Sequence, residues 1–202
     1  MISRRRSSRR VEAGFTLIEL MVTLGVAAVL LVVAVPGFLA FQRNSELTST
    51  TNRLVSAIAA VRSEAMKTGM TAMVVPADGV NWASGWTAFI DKDRDQTFTA
   101  DGDKVIFTQP PVASYLTASA NGTGGSSTPY IMFDASGYPK TKTGAFGGLI
   151  ITVARSDLSG TAALDDTRSV IISPAGRVRS CRPASAADDK CPLSTNASTN
   201  GD

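Results

Sequence analysis

Asp91, Asp93 and Asp95 alternate along the chain, and Asp101 and Asp103 follow shortly after. A D-x-D-x-D run gathers hard oxygen donors of the kind calcium takes. The EF-hand pattern then asks for glycine in the sixth place and glutamate in the twelfth, where this chain has Gln96 and Gly102. The run therefore reads as a solvated acidic hairpin whose charge Lys92, Arg94 and Lys104 offset, as charged surface loops commonly are. Calcium held by Asp91, Asp93 and Asp95 is the alternative, and no other metal is expected.

Arg177 and Arg179 follow Gly176 at a spacing of two, so on a strand both point to one face. Arg182 and Lys190 lie just beyond. Grouped guanidiniums suit phosphate oxygens. Asp188 and Asp189 dilute the local field, and no aromatic is interleaved to stack on bases. Nucleic acid contact here would be backbone-directed and salt-sensitive. The competing reading has these arginines touching neighbouring protein subunits.

No catalytic constellation emerges. The chain has no histidine, which excludes a Ser-His-Asp triad, a His-paired thiol and any His-ligated metal. Two cysteines are too few for a four-Cys zinc cage. The serines have no base to activate them. A non-enzyme without a cofactor is expected.

The elements that must carry these groups begin with the amino terminus. Of the 202 residues, residues 1–14 hold five arginines against Glu12, while the other 188 hold 15 basic and 16 acidic side chains. The formal charge of +3 is thus a property of the leader. Residues 15–35, FTLIELMVTLGVAAVLLVVAV, contain one charge, Glu19. At 1.5 Å per residue such a helix spans about 30 Å, the thickness of a hydrocarbon core. The arginines ahead of it place the amino terminus in the cytoplasm and the bulk of the chain across the membrane. A carboxylate inside the bilayer costs about 2.5–3.5 kcal/mol. Nothing in the segment can pair with Glu19, so a cation from another chain is expected. The rival reading is a secreted soluble protein released by signal peptidase with a mature terminus near residue 40. The apolar run is longer than a signal-peptide core, and no A-x-A site ends it.

Past Pro36 the helix continues to about residue 69. Leu47, Leu54, Ile58, Val61 and Ala65 keep helical spacing, and Gly69 supplies a stop after Lys67. Strands are predicted at residues 71–75, 86–90, 104–108, 130–133, 149–154, 169–173 and 177–180. No helix-period segment intervenes, so the sheet should be mainly antiparallel. Trp82 and Trp86 read as core or interface aromatics. Residues 118–128 read as a mobile loop and residues 193–202 as a frayed tail. Cys181 and Cys191 fall in the part expected to leave the cytoplasm, where an oxidising compartment favours a disulfide over two free thiols.

The run Gly14-Phe15-Thr16-Leu17-Ile18-Glu19 after a short basic leader resembles the type IV prepilin signature. The resemblance implies cleavage between Gly14 and Phe15 by a prepilin peptidase and N-methylation of Phe15. It also implies that Glu19 pairs with the terminal amine of a neighbouring subunit. The body resembles the GspH/FimT family of minor pilins and pseudopilins. The residues that carry this are Arg62-Ser63-Glu64-Ala65, Gly85-Trp86, Asp91-x-Asp93-x-Asp95 and Gly176-Arg177-Val178-Arg179.

The implied fold is α+β and pilin-like: a long amino-terminal helix packed on a mainly antiparallel β-sheet domain. The expected divisions are a leader at 1–14, a membrane or filament-core helix at 15–35, an amphipathic helix at 36–69, a periplasmic sheet domain at 70–192 and a tail at 193–202. The implied function is a subunit of a type II secretion pseudopilus or a type IV pilus. The inner membrane, the peptidase and other pilin subunits would be its partners. FimT-like members associate the GRxR motif with DNA during natural transformation. By resemblance, double-stranded DNA would then meet Gly176, Arg177 and Arg179, with Arg182 beside them.

Overall fold

The computed structural model describes residues 14–195. The leader up to residue 13 and the end of the expected tail lie outside the described residues. Helix α1 (Leu17–Thr68) is continuous, with Pro36 inside it. The chain divides into two units after Gln42. In the first, the large apolar side chains of α1, among them Leu20, Leu24, Leu30 and Phe38, are exposed. This stretch is long and apolar enough to cross a membrane. In the second, Leu47, Leu54, Ala57, Ile58, Val61 and Ala65 are fully buried. Their spacing of three and four residues makes one face of the helix apolar.

That face packs on two four-stranded antiparallel sheets rather than on one. The first contains β1 (Ala72–Pro76), β2 (Trp86–Ile90), β3 (Lys104–Gln109) and β5 (Ile131–Phe133), in the order β3-β2-β1-β5. The second contains β4 (Leu116–Ala120), β6 (Leu149–Arg155), β7 (Thr167–Ile172) and β8 (Val178–Cys181), in the order β4-β6-β7-β8. Val74, Ala88 and Phe133 from the first sheet and Ile151, Val153 and Val170 from the second join the helix in one core. Met73, Phe89, Tyr130 and Met132 form a smaller cluster on the other side of the first sheet. β2 is buried along its whole length because both of its faces are covered.

Three expectations are corrected. The region read as a mobile loop at 118–128 begins inside strand β4, which pairs with β6 from Leu116↔Arg155 to Ala120↔Ile151. A 3-10 turn (Gly122–Gly125) follows, and the Trp82 indole donates to the Gly124 carbonyl at 2.8 Å. Serine, threonine and alanine gave this strand too little apolar pattern to register. A helical turn, α2 (Gly160–Asp165), lies between β6 and β7. At six residues it is too short to show a helical period. The described start of the tail, residues 193–195, is anchored through Ser194, which is buried and donates its amide to Thr152 Oγ1 at 2.8 Å.

Candidate functional site

The first candidate site is the start of α1. Thr16 precedes the helix, and its hydroxyl accepts from the Glu19 amide at 3.2 Å. Thr16 is thus the N-cap and Glu19 the third helical residue, the positions of a capping box. Glu19 is exposed, and its carboxylate forms no ion pair with any described residue. A negative group in the first turn of a helix also faces the positive end of the helix dipole. Gly14 and Phe15 are exposed ahead of it. The role of Thr16 was missed, although the spacing Thr16-x-x-Glu19 was a signal for it.

The second is the basic group around β8. The Ser173 amide donates to the Arg177 carbonyl at 3.0 Å, which continues the β7–β8 ladder one step beyond Ile172↔Val178. Val178 packs on the core, so Arg177 and Arg179 share the opposite, exposed face. Their surroundings differ. Arg179 donates to the Lys190 carbonyl at 2.6 Å. The Arg177 side chain has no partner among the described residues. Arg182 does not join them: it is ion-paired with Asp165 of α2. With Thr48, Thr51, Asn52 and Arg168 it lines a recess of about 210 Å³. Burial, and then the Arg182 charge, push the Arg168 guanidinium below its ordinary pKa. Gly176 has φ +79, and a Cβ there would stand 2.5 Å from the Gly137 carbonyl.

The Cys181–Cys191 disulfide forms, with the two Cα atoms 5.9 Å apart. Asp188 organises the loop it closes. Its carboxylate accepts from the amides of Ala184 and Lys190 at 2.9 Å and of Cys191 at 3.2 Å. These backbone donors, Ala184 first, hold its pKa below the usual carboxylate range. Asp188 is therefore committed to the loop's own fold. Beyond the bridge, Leu193 and Ser194 lie over the outer face of the second sheet. Together with Thr152, Ala154, Leu164 and Thr167 they border a cavity of about 580 Å³.

The third is the acidic loop between β2 and β3. The expected solvated hairpin is corrected at Asp91, whose relative exposure is 0%. Strand pairing carries this residue inward: its amide donates to the Thr71 carbonyl at 3.0 Å, one step past the β1–β2 ladder. Asp93 and Asp95 are exposed, and one carboxylate oxygen from each of the three aspartates lies within 4.8 Å of the others. Lys92, Arg94 and Lys104 form no ion pair with them among the described residues. Burial, with the Asp103 and Asp93 charges adding to it, raises the Asp91 pKa.

An ionic network around the buried Arg155 was also missed. Arg155, at the end of β6, pairs with Asp166 at 2.6 Å and with Asp157 at 2.7 Å. Arg43 of α1 reaches the same Asp157 carboxylate at 2.5 Å and lies over the Tyr115 ring. Arg43 and Asp157 are 114 residues apart in sequence, so no local pattern could reveal the pair.

Comparison with known proteins gives two family matches. Residues 50–176 match the family described as Type II transport protein GspH. Residues 9–35 match the prokaryotic N-terminal methylation motif. No curated protein matches the chain. Among solved structures, the type IV minor pilin FimU of Pseudomonas aeruginosa is 21% identical and has a TM-score of 0.49, covering 69% of this chain and 90% of that one. The minor pseudopilin EpsH of the type 2 secretion system of Vibrio cholerae is 15% identical with a TM-score of 0.49, covering 69% and 99%.

Proposed function

The chain belongs to the GspH family of minor pilins and pseudopilins, and from that membership we propose that it is a structural filament subunit that assembles through its amino-terminal helix. The observation that carries this reading is the first half of α1. Its apolar side chains are exposed, and its one carboxylate, Glu19, has no cation to pair with among the described residues.

Both features are costly for an isolated chain. Exposed leucines and valines call for lipid or for the helices of other subunits. An unpaired carboxylate at membrane depth calls for a positive partner. Cleavage after Gly14 by a prepilin peptidase creates such a partner, the Phe15 amine of the next subunit. Before assembly the helix holds the protein in the inner membrane, with the amino terminus cytoplasmic and the sheet domain periplasmic. In a type II secretion pseudopilus or a type IV pilus the same helix then packs among its neighbours.

The test is incorporation. Glu19→Ala and Glu19→Gln variants should reach the membrane in normal amounts and fail to enter filaments, as read by shearing and immunoblotting. Wild-type levels of incorporation for both would refute the role of Glu19.

A second reading, contact with DNA in its uptake, has one observation in its favour: Arg177 is exposed with its guanidinium uncommitted, on the same face as Arg179. A gel shift comparing the chain with its Arg177→Ala/Arg179→Ala variant tests it. Equal and negligible binding by both would end this reading.

A further inference from the structure

Asp91 carries the only carboxylate oxygen among the described residues that is buried and lacks a hydrogen-bond donor. Its Oδ2 accepts from the Gln96 amide at 3.2 Å, while Oδ1 has no partner. A buried polar atom without a partner costs about 1–3 kcal/mol, and more when it is charged. Two neighbours make the cost larger, because Asp93 and Asp95 bring further negative charge within 4.8 Å. The loop brings them in deliberately close. Asp93 Oδ2 lies close over Gly102, so that a Cβ there would stand 2.2 Å away and the Asp93 carboxylate would have to turn aside.

Asp103 explains why the loop stays closed without being the missing partner. Its Oδ1 accepts from the Lys92 amide at 3.1 Å and its Oδ2 from the Thr99 amide at 2.8 Å. Both oxygens are therefore occupied in pinning the two ends of the loop. Among the described residues no guanidinium or ammonium forms an ion pair with these carboxylates. What the arrangement lacks is a compact cation.

We propose that Asp91, through its free Oδ1, and the carboxylates of Asp93 and Asp95 bind a calcium ion. Three carboxylates are a hard, oxygen-only donor set, which suits calcium and not a thiophilic or imidazole-seeking metal. The departures from the EF-hand pattern take on a physical meaning. Gln96, in the place of the usual glycine, adopts the left-handed backbone itself, with φ 60. The twelfth-place glutamate is replaced by Gly102, so the bidentate ligand is missing. The affinity should then fall with the weaker, extracellular calcium modules, at a Kd on the order of 10⁻⁴–10⁻³ M. This site is independent of the assembly helix, and its function would be to order the loop from residue 91 to residue 103.

The experiment uses the full chain in detergent micelles. Calorimetric titration with calcium chloride should give one ion per chain. Calcium at 5 mM should raise the Tm by roughly 3–6 °C over the chelator-treated protein. An Asp93→Asn/Asp95→Asn variant should lose both effects. These two side chains are exposed, and the amide oxygen of asparagine can still accept the loop's own hydrogen bonds, so the variant should match the chelator-treated wild type in circular dichroism and melt no lower than it, since two repelling charges beside Asp91 are removed. A flat titration of the folded wild type would overturn the proposal. So would calcium binding retained in the double variant, or an equal Tm rise with magnesium.

Discussion

Arg62 of α1 donates from Nε to the carbonyl of Gly137 at 2.9 Å, across 75 residues of sequence. Gly176 closes this contact from the other side. A Cβ on Gly176 would stand 2.5 Å from the Gly137 carbonyl oxygen and 3.3 Å from the Arg62 guanidinium carbon. The clamp ties the end of the long helix to the turn before β8. It also separates the members of the Gly176-x-x-Arg179 motif by role: the glycine serves the fold, and the arginines face outward.

The first prediction concerns that glycine. Gly176→Ala puts a side chain both into a left-handed backbone, φ +79, and against a carbonyl. The expected loss is about 1–3 kcal/mol, measured by thermal or urea unfolding. Arg177→Ala, exposed and unpartnered, should change stability by less than about 0.5 kcal/mol. A DNA-binding test that altered Gly176 would therefore confuse unfolding with loss of contact, and the arginines are the residues to change.

The second concerns acid. The Asp157 carboxylate accepts from Arg155 and Arg43, and these bonds, Arg155 first, hold its pKa well below the usual carboxylate range. A carboxylate with a lowered pKa in the folded state adds stability that is complete above its unfolded value, near 3.8. That contribution is lost as the pH falls below this value. Stability should therefore fall as the pH drops below about 4. Asp157→Asn should flatten that limb and lower stability at neutral pH, because Arg155 is buried and would lose one of its two counter-charges. Chemical unfolding between pH 2 and pH 7 would check it. An unchanged acid limb in the variant would refute it.

The third concerns the bridge between Cys181 and Cys191. It closes a loop of 10 residues in sequence separation. In the chain-entropy model such a closure contributes on the order of 2–3 kcal/mol. Cys181→Ser/Cys191→Ser should lose about this much. It should also free Leu193 and Ser194 from the outer face of the second sheet, so amide exchange at Ser194 should quicken while that of β6 stays slow. Equal exchange at Ser194 with and without the bridge would show that the Thr152 contact suffices.

These cases show what the sequence could reveal. Helix α1 was legible because Leu47, Leu54, Ile58 and Val61 repeat at its period, and β2 and β6 because β-branched and aromatic residues run together between turn residues. Strand β4 was hidden because Leu116–Ala120 carries only one large apolar side chain. The burial of Asp91 was hidden for a different reason. Alternating aspartates look solvated in one dimension, and only the pairing of Asp91 with Thr71 across the β1–β2 ladder draws the first of them inside. Arg182 was grouped with Arg177 and Arg179 by proximity in sequence, yet its charge is taken up by Asp165, which lies on another element. The ends of contacts that span the chain leave no local mark.

The last prediction is the mature amino terminus. Thr16 caps a helix that begins at Leu17, and Glu19 sits within its first turn. If residues 1–14 stayed attached, Phe15 would have no free amine to offer to the Glu19 of a neighbouring subunit. Pairing between subunits would then lack its cation. Removing the leader leaves Phe15 as the terminus with a free amine, which a neighbouring subunit can bring to Glu19. Mass spectrometry of the native chain from envelope fractions should therefore find Phe15 first, carrying one added methyl group. A terminus near residue 40, or an intact leader on assembled protein, would refute both the processing and the pairing that depends on it.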